Sequence, residues 1–430
     1  MTQAQNPFFE KYDTPHQTVP FDKIKTEHYK PAITEGMRMH TAEIDAITDN
    51  PDSPTFANTI VMYEKSGKLL GHVATVFSNL HSAETNDEIQ ILAQELMPVL
   101  SEHHNNIDLN EKLFTRIKAV YEQQGKYNLT AEQTTLLNTI YDGFVRCGAN
   151  LREEDKDTYR SLNKELNTLM LQFSENNLKE TNDYQLILTD KSQLSGLPES
   201  AVEAAAQTAG EKGVDGWVFT LQAPSYVSFM TYADNRELRR ELYMAYNTKC
   251  TQGKYTNTEI VKRIVNVHLE IAQLLGYNDY AEYTLKKRMA ENSQTVYTLL
   301  NQLLEAYTPV AKKEYGEVQE LARESQGNEF LLMPWDWSYY SDKLKKKKFN
   351  VNAEMHRPYF ELSKVEEGVF GLATQLYGIS FKENTHIPVY HKDVNAYEVF
   401  DKDGTYLAVL YTDFHPRTGK RSGAWMTEFK

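Results

Sequence analysis

EEDKDTYRSLNKELNTLMLQFSENNLKE, residues 153–180, is the segment of this 430-residue chain with the clearest helical pattern. Its apolar residues recur three or four positions apart, which places Leu162, Leu166 and Leu169 on one helical face together with Phe173. This spacing is typical of an amphipathic helix that buries one side against its neighbours. The stretch therefore predicts one long helix that begins near Glu153 and ends near Glu180.

Shorter segments with the same spacing precede this helix. Residues 59–80, TIVMYEKSGKLLGHVATVFSNL, predict one helix whose inward stripe consists of Ile60, Tyr63, Leu70, Val73, Val76, Phe77 and Leu80. Residues 89–103, 113–124 and 132–148 show the pattern again. From Phe21 to about Asn182, the chain thus predicts packed antiparallel helices.

The pattern changes after the long helix. YQLILTD and WVFTLQ alternate apolar and polar residues on either side of an Ala-rich helix that ends at Gly213, which predicts a small strand pair. Helical spacing returns from Ser225 to Ala322. From Ile379 onward, GISF, IPVYH, AYEVFD and YLAVLYTDF predict four strands, with a hairpin turn at Asp403-Gly404. The fold class is mainly α, in three regions with approximate boundaries: residues 1–182, 183–345 and 346–430.

Composition narrows the class of function. The chain has 46 Lys and Arg against 60 Asp and Glu, a formal charge of −14, which disfavours nucleic acid and anionic membranes as partners. Its amino terminus lacks the pattern of a secretory signal, and no uninterrupted apolar run is long enough to span a bilayer. The two cysteines, Cys147 and Cys250, stand far apart without a CxxC pattern. These features predict a cytoplasmic protein.

Common catalytic motifs are absent from the sequence. No two histidines stand four residues apart, and the HExxH zinc signature does not occur. Neither a GxSxG elbow nor a complete phosphate loop is present. Two clusters remain: PWDWSYYSDK, residues 334–343, favours an aromatic core element, and TDFHPRTGKRSGAWM, residues 412–426, favours a binding rim on a loop after a hairpin.

Several segments together resemble a known family. WDWSYYSDK, MHRPYFELSKVEEGVFGLATQLYGISF and VFDKDGTYLAVLYTDFHPRTGKRSGAWM are similar, in order and wording, to the zinc oligopeptidases of the thimet oligopeptidase group and in particular to its bacterial peptidyl-dipeptidases. FMTYADNRELRRELYMAY and IAQLLGYNDYAEYTLKKRMA agree as well, so the resemblance covers essentially the whole chain. It implies a neurolysin-like, multi-helical, two-domain prolate fold. A small β-sheet would lie near a deep cleft that admits short peptides, from which dipeptides are removed at the carboxyl end.

The resemblance also implies a zinc ion. In the family, two histidines of an HEFGH helix and a glutamate on a later helix hold the metal, and the glutamate of the motif activates water. This sequence reaches Lys430 before the place where that helix would follow. The chain is therefore expected to be an amino-terminal portion, truncated before the zinc helix, with residues 346–430 as the start of the catalytic region. No catalytic or metal residue is assigned, and the chain alone is expected to bind no zinc and to be inactive unless the carboxy-terminal catalytic portion joins it.

Residues near the cleft follow from the resemblance alone. The strand and loop that match residues 406–426 lie beside the cleft in the family, where an edge strand can pair with a peptide backbone. The resemblance thus suggests a substrate-binding rim made of His415, Arg417, Arg421, Gly423 and Ala424. The alternative for each residue is a role in ordering the loop. The alternative for the whole chain is a non-catalytic helical protein that binds peptides or a partner.

Overall fold

The computed structural model describes residues 6–429, which contain sixteen α-helices and five β-strands. In chain order these are α1 (Thr26–Thr48), α2 (Val61–Lys65), α3 (Lys68–Ala83), α4 (Asp87–Asp108), α5 (Glu111–Glu122), α6 (Ala131–Arg146), α7 (Glu153–Asp183), β1 (Leu186–Leu188), α8 (Glu199–Lys212), β2 (Trp217–Phe219), α9 (Ala223–Tyr232), α10 (Arg236–Asn247), α11 (Thr258–Leu274), α12 (Tyr280–Leu285), α13 (Ser293–Gln326), α14 (Trp337–Phe349), α15 (Ala353–His356), α16 (Leu362–Tyr377), β3 (Ser380–Glu383), β4 (Asn395–Phe400) and β5 (Tyr406–Thr412). The mainly α fold class is confirmed. None of the helices in this described part is long and apolar enough to cross a membrane.

The first helices form a closely packed bundle. α1 packs against α3 and α4, and α7 packs against α4 and α11. A Cβ atom added to Gly36 of α1 would lie 2.9 Å from the Leu70 backbone, so only glycine permits so close a contact between α1 and α3. Two apolar cores result, one between α1, α3 and α4 and the other around α5 and α6.

The prediction of one helix over residues 59–80 is wrong. A π-helical turn, Phe56–Ile60, leads into α2, which ends at Lys65, and α3 begins only at Lys68. Between them, Gly67 adopts a left-handed conformation with φ 69°, and its amide donates to the Glu43 carboxylate at 2.7 Å. The predicted stripe is divided accordingly: Ile60 and Tyr63 belong to the α5–α6 core, whereas Leu70, Val73, Val76, Phe77 and Leu80 belong to the α1–α3–α4 core.

The long helix and the strand pair match their predictions. α7 runs without a break from Glu153 to Asp183, and its Leu162 is buried against Val267 of α11. Phe173, predicted on the same stripe, remains 37% exposed and does not belong to that core. β1 and β2 pair in antiparallel fashion with α8 between them in the chain.

The aromatic segment at residues 334–343 encloses a buried ion pair. Tyr339 and Tyr340 are buried as core residues, as the sequence favoured. Between them and α10, the Asp336 carboxylate is 0% exposed and accepts hydrogen bonds from Arg236 at 2.7 Å and from Arg239 at 2.9 Å. A buried carboxylate requires such partners because its desolvation is costly. The segment thus joins the start of α14 to α10.

The last region is a three-stranded antiparallel sheet in the order β3-β4-β5, with α16 beside it. The Phe370 ring of α16 stacks on Phe381 of β3 at 4.2 Å between centroids. The predicted turn is confirmed, since Gly404 has φ 83° and lies between β4 and β5. The predicted strand IPVYH is wrong: residues 387–391 form a loop, and Pro388 has no amide hydrogen to give to a sheet.

Candidate functional site

The candidate site is a groove of about 880 Å³ beside the last strand. β5 is the outer strand of its sheet, and all seven of its residues line the groove. The opposite wall consists of residues 423–429 and of residues 16–19 from the amino-terminal part of the chain. The groove is therefore built from two ends of the sequence that the fold brings together.

An aromatic cluster holds the far wall in place. Phe429 packs edge-to-face against Phe21, with ring centroids 5.2 Å apart, and against Tyr411 of β5, at 5.8 Å. Tyr390 completes the cluster at 5.4 Å from Phe21. Burial raises the pKa of Tyr411 to about 12, so this ring carries no charge at neutral pH. The cluster supplies an apolar end to the groove.

The loop that follows β5 is fixed by Arg417. Its side chain is only 12% exposed, and its two terminal nitrogens donate to the Asp413 carboxylate at 2.8 Å each. The same guanidinium donates to the Ala83 carbonyl oxygen at 2.7 Å and to the Glu84 carboxylate. Burial tends to raise the pKa of Asp413, but the hydrogen bonds from Arg417 and Lys420 outweigh it and lower the pKa to about 2. Arg417 therefore joins the loop to the end of α3.

Backbone contacts strengthen this docking. The Gly419 carbonyl oxygen accepts from the Thr85 amide at 2.8 Å, and the Arg421 amide donates to the Ser82 carbonyl oxygen at 2.9 Å. A Cβ atom at Gly419 would lie 2.4 Å from the Thr85 carbonyl oxygen. The loop therefore lies so close to the segment after α3 that a side chain has no room at this position.

The five predicted rim residues occupy four different places. Gly423 and Ala424 are exposed and line the groove. Arg417 is held inside the loop, and His415 is exposed outside the set of groove-lining residues. Arg421 lies with its guanidinium 4.7 Å above the Trp425 ring and lines a second cavity, on the other side of the loop. Whether any of the five contacts a substrate stays a prediction.

No sequence pattern indicated the amino-terminal wall of the groove. The His16 ring stacks on Tyr406 of β5 at 3.8 Å and lies 2.5 Å from the Glu398 carboxylate of β4. Asn79 of α3 contacts the other wall, donating to the Glu428 carbonyl oxygen at 2.6 Å and accepting from Thr427 at 2.7 Å. These pairs are about 350 to 390 residues apart in the chain, a separation that local patterns do not reach.

A zinc site needs three or four His, Cys, Asp or Glu ligands close together. Within residues 6–429, no three such side chains are grouped so that they could hold a metal ion. The described residues therefore do not fit a zinc ion. The chemistry that zinc supplies in the thimet oligopeptidase group is accordingly assigned to no residue of this chain.

Comparison with known proteins agrees with the motifs. Residues 229–430 match the model of peptidase family M3. The chain is 37% identical to dipeptidyl carboxypeptidase of Escherichia coli over 429 residues, which cover 99% of the chain and 63% of that protein. It is 31% identical to oligopeptidase A of Salmonella typhimurium, covering 98% of the chain and 62% of the relative. An organellar oligopeptidase A of Arabidopsis thaliana is also 31% identical, with 99% and 54% covered. The chain thus spans less than two thirds of each relative.

Proposed function

Because the chain belongs to peptidase family M3, we propose that it supplies the peptide-binding groove of a zinc-dependent oligopeptidase that releases dipeptides from carboxyl termini. The likeness to dipeptidyl carboxypeptidase of Escherichia coli supports the peptidyl-dipeptidase type over a general oligopeptidase, because identity is higher to this relative, at 37%, than to oligopeptidase A, at 31%. Short peptides are the proposed substrates.

The single observation that carries the proposal is the edge strand in the groove. β5 has seven residues and spans about 20 Å at roughly 3.3 Å per residue. Its outer edge belongs to the groove, so an extended peptide of similar length can add to the sheet by backbone hydrogen bonds. Backbone pairing tolerates many side chains, which suits a peptidase that accepts varied short peptides.

The side chains of the groove add an apolar preference. Leu407 and Leu410 of β5 are exposed, and the Phe429 cluster lies across from them. Arg417 and Lys420 both bind Asp413, at 2.8 and 2.9 Å, so their charges are already paired. We therefore expect the groove to bind the backbone and apolar side chains of a peptide, with Arg417 acting by fixing the loop.

A groove-blocking substitution tests the proposal. Ala424 is exposed and lines the groove, so Ala424→Trp narrows it without disturbing a core. Fluorescence anisotropy with a fluorescein-labelled pentapeptide that ends in a free carboxylate is expected to show at least tenfold weaker binding. The control is Ala206→Trp, the same change at an exposed position of α8 outside the groove. Equal binding by both variants would contradict the proposed groove.

Hydrolysis is tested separately. We expect no zinc by elemental analysis and no dipeptide release from this chain alone, since residues 6–429 contain no grouped metal ligands. Bound zinc and dipeptide release are both expected once a polypeptide equivalent to the unmatched part of the Escherichia coli relative is added. If the chain binds the pentapeptide but never gains hydrolysis, it is better explained as the alternative, a non-catalytic protein that binds peptides or a partner. Zinc and activity from the chain alone would overturn the proposal that its catalytic part lies elsewhere.

A further inference from the structure

One face of α16 is apolar and exposed along its whole length. Its apolar side chains recur with alternating spacings of three and four residues, which is the pattern of one helix in a coiled coil. The residues with this spacing, called the α16 stripe below, are Leu362, Val365, Val369, Leu372 and Leu376. Each is more than one third exposed, and Leu376 is 65% exposed. No residue of α16 is buried against the other residues that the structure describes.

A different face attaches α16 to the sheet. Phe370 stacks on β3. The Glu366 carboxylate accepts from the Tyr397 hydroxyl of β4 at 3.5 Å and from the Thr412 hydroxyl of β5 at 3.3 Å. With 3.6 residues per turn, Glu366 and Phe370 point about 100° away from the centre of the α16 stripe. The helix is therefore fixed to the sheet that carries the groove, while the α16 stripe stays exposed in the described chain.

Exposed aromatic residues lie at both ends of the α16 stripe. Tyr359 and Phe360 precede α16, and Tyr377 is its last residue. Single exposed apolar residues are common on protein surfaces, but several of them grouped on one face mark an interaction site. The alternating spacing fits a second helix, whose side chains can insert between those of the stripe. The α16 stripe therefore has the form of a helix-binding face.

The charges of α16 fit a protein partner better than a membrane. A helix that lies on a membrane typically has Lys or Arg along its polar face. α16 has two glutamates, Glu366 and Glu367, and a single lysine, Lys364, whose ammonium lies 3.4 Å from the Glu361 carboxylate. The chain as a whole has a formal charge of −14, which opposes binding to anionic lipids.

The unmatched part of the M3 relatives is the protein that fits this position. α16 lies inside the residues that match peptidase family M3, and the chain covers 63% of dipeptidyl carboxypeptidase of Escherichia coli. In that relative the matching and unmatched parts belong to one polypeptide, so they meet at a high effective concentration. A second copy of this chain has no such connection and would have to associate from dilute solution. The unmatched part is thus the occupant that can cover an apolar face permanently and so prevent aggregation through it.

We propose that the α16 stripe is the docking face for this unmatched part, which packs one of its helices against the stripe. The inference rests on the proposed function, because the unmatched part is also the one expected to bring zinc and hydrolysis. Glu366 joins α16 to the last residue of β5. A polypeptide docked on the α16 stripe is therefore held against the same sheet whose outer strand is proposed to bind the peptide.

Co-expression tests the proposal. The 430-residue chain is produced together with an affinity-tagged polypeptide equivalent to the unmatched part of the Escherichia coli relative, and the amount of chain retained through the tag is measured. Val369→Glu is expected to lower this amount at least about tenfold, because a carboxylate in an apolar interface loses its hydration. The control is Val227→Glu, the same change on α9, where the valine is 57% exposed against 58% for Val369. It is expected to leave retention unchanged.

Leu372→Glu, at the next position of the α16 stripe, is expected to give the same loss as Val369→Glu. Circular dichroism of each variant alone checks that it folds, which the exposure of both positions favours. Equal retention of the Val369 and Val227 variants, or no retention of the unchanged chain, would overturn the proposal. A dimer of the chain alone that Val369→Glu converts to a monomer in sedimentation velocity would assign the stripe to a second copy and overturn it as well. Val369-dependent binding to vesicles of phosphatidylcholine and phosphatidylglycerol would assign it to a membrane instead.

The pentapeptide assay separates this inference from the proposed function. Val369 lies outside the set of groove-lining residues, so Val369→Glu is expected to bind the labelled pentapeptide as tightly as the unchanged chain. Lost association with retained pentapeptide binding would support the docking face. If the two polypeptides associate through the α16 stripe but never release dipeptides, the proposed function fails and the docking face stands.

Discussion

Two helical regions have the same kind of apolar spacing but are buried to very different extents. One is the bundle formed by α1, α3 and α4, and the other is the first half of α13. Leu70 of α3 is 1% exposed, whereas Leu304 of α13 is 66% exposed. The second half of α13 is covered, since Val318 and Ala322 pack with Leu332 and the tyrosines of α14. Apolar spacing therefore predicts that a helix forms, but it does not predict which of its faces finds a partner within the described residues.

The largest expected loss of stability comes from removing the buried ion pair of Asp336, which connects the start of α14 to α10. Asp336→Ala leaves Arg239 buried and without its carboxylate, and removing one partner of a buried pair typically costs about 3 to 5 kcal/mol. Urea unfolding followed by circular dichroism should show this loss. Glu237→Ala, a change at an exposed carboxylate of α10, is the control and should be nearly neutral. A loss of less than about 1 kcal/mol for Asp336→Ala would mean that the α13–α14 unit does not depend on this pair.

A matched leucine pair tests the comparison directly. Leu70→Ala opens a cavity in the α1–α3–α4 core and is expected to cost about 2 to 5 kcal/mol. Leu304→Ala, on the exposed half of α13, is expected to change stability by less than about 0.5 kcal/mol. The free energy of unfolding of both variants can be measured in parallel. Equal losses would show that the exposed half of α13 is covered in solution, for instance by a second copy of the chain.

Docking of the loop after β5 should respond to a single methyl group. Gly419→Ala places a Cβ atom against the Thr85 carbonyl oxygen, and overpacking of this kind costs about 1 to 3 kcal/mol. Hydrogen exchange should become faster at the Thr85 and Arg421 amides and stay unchanged in the bundle core. Gly423→Ala serves as the control, because no atom lies within 4 Å of its added Cβ, although its φ of 110° adds backbone strain. Unchanged exchange in Gly419→Ala would show that the loop is not held at this contact.

The smallest predicted effect is a pH dependence confined to the bundle. Burial, together with the neighbouring His40 and His104, lowers the pKa of His103 to about 4. In the unfolded chain His103 has an ordinary histidine pKa and binds a proton below about pH 6.5, whereas in the folded chain it stays neutral down to about pH 4. The free energy of unfolding therefore falls as pH drops from about 6.5 towards 4. At pH 5.5 the loss is about 1 kcal/mol relative to pH 7.5. His103→Gln should flatten this dependence in thermal melts, and an unchanged slope would assign it to other groups.

Much of the fold follows from local patterns, and much of the site does not. The spacing in residues 153–180 predicted α7 because Leu162, Leu166 and Leu169 of that helix pack in one apolar core with α11, although Phe173 does not join it. The same reasoning failed at Gly67, where a left-handed residue separates two helices that serve different cores. It failed again at residues 387–391, which were predicted as a strand from their apolar residues. Pro388 has no amide hydrogen to donate to a neighbouring strand, and these residues form a loop.

The candidate site was predicted from resemblance and not from local sequence patterns. Sequence similarity to the thimet oligopeptidase group indicated residues 406–426, and two of the predicted residues, Gly423 and Ala424, line the groove. Neither the pairing of Arg417 with Glu84 nor the stacking of His16 on Tyr406 was visible, because these contacts join residues more than 300 positions apart. The buried Asp336 was missed for the same reason, as its arginine partners lie about 100 residues earlier.

The position of His16 opposite the last described residues sets the order of events during synthesis. The bundle helices can associate as soon as residues up to about 180 have emerged, because their contacts are local in the sequence. The groove cannot exist until Phe429 has been made, since its two walls come from the beginning and the end of the described chain. The roughly 250 residues between these two points take about 12 to 50 s at about 5 to 20 residues per second. During this interval the growing chain has a folded bundle but no groove beside β5.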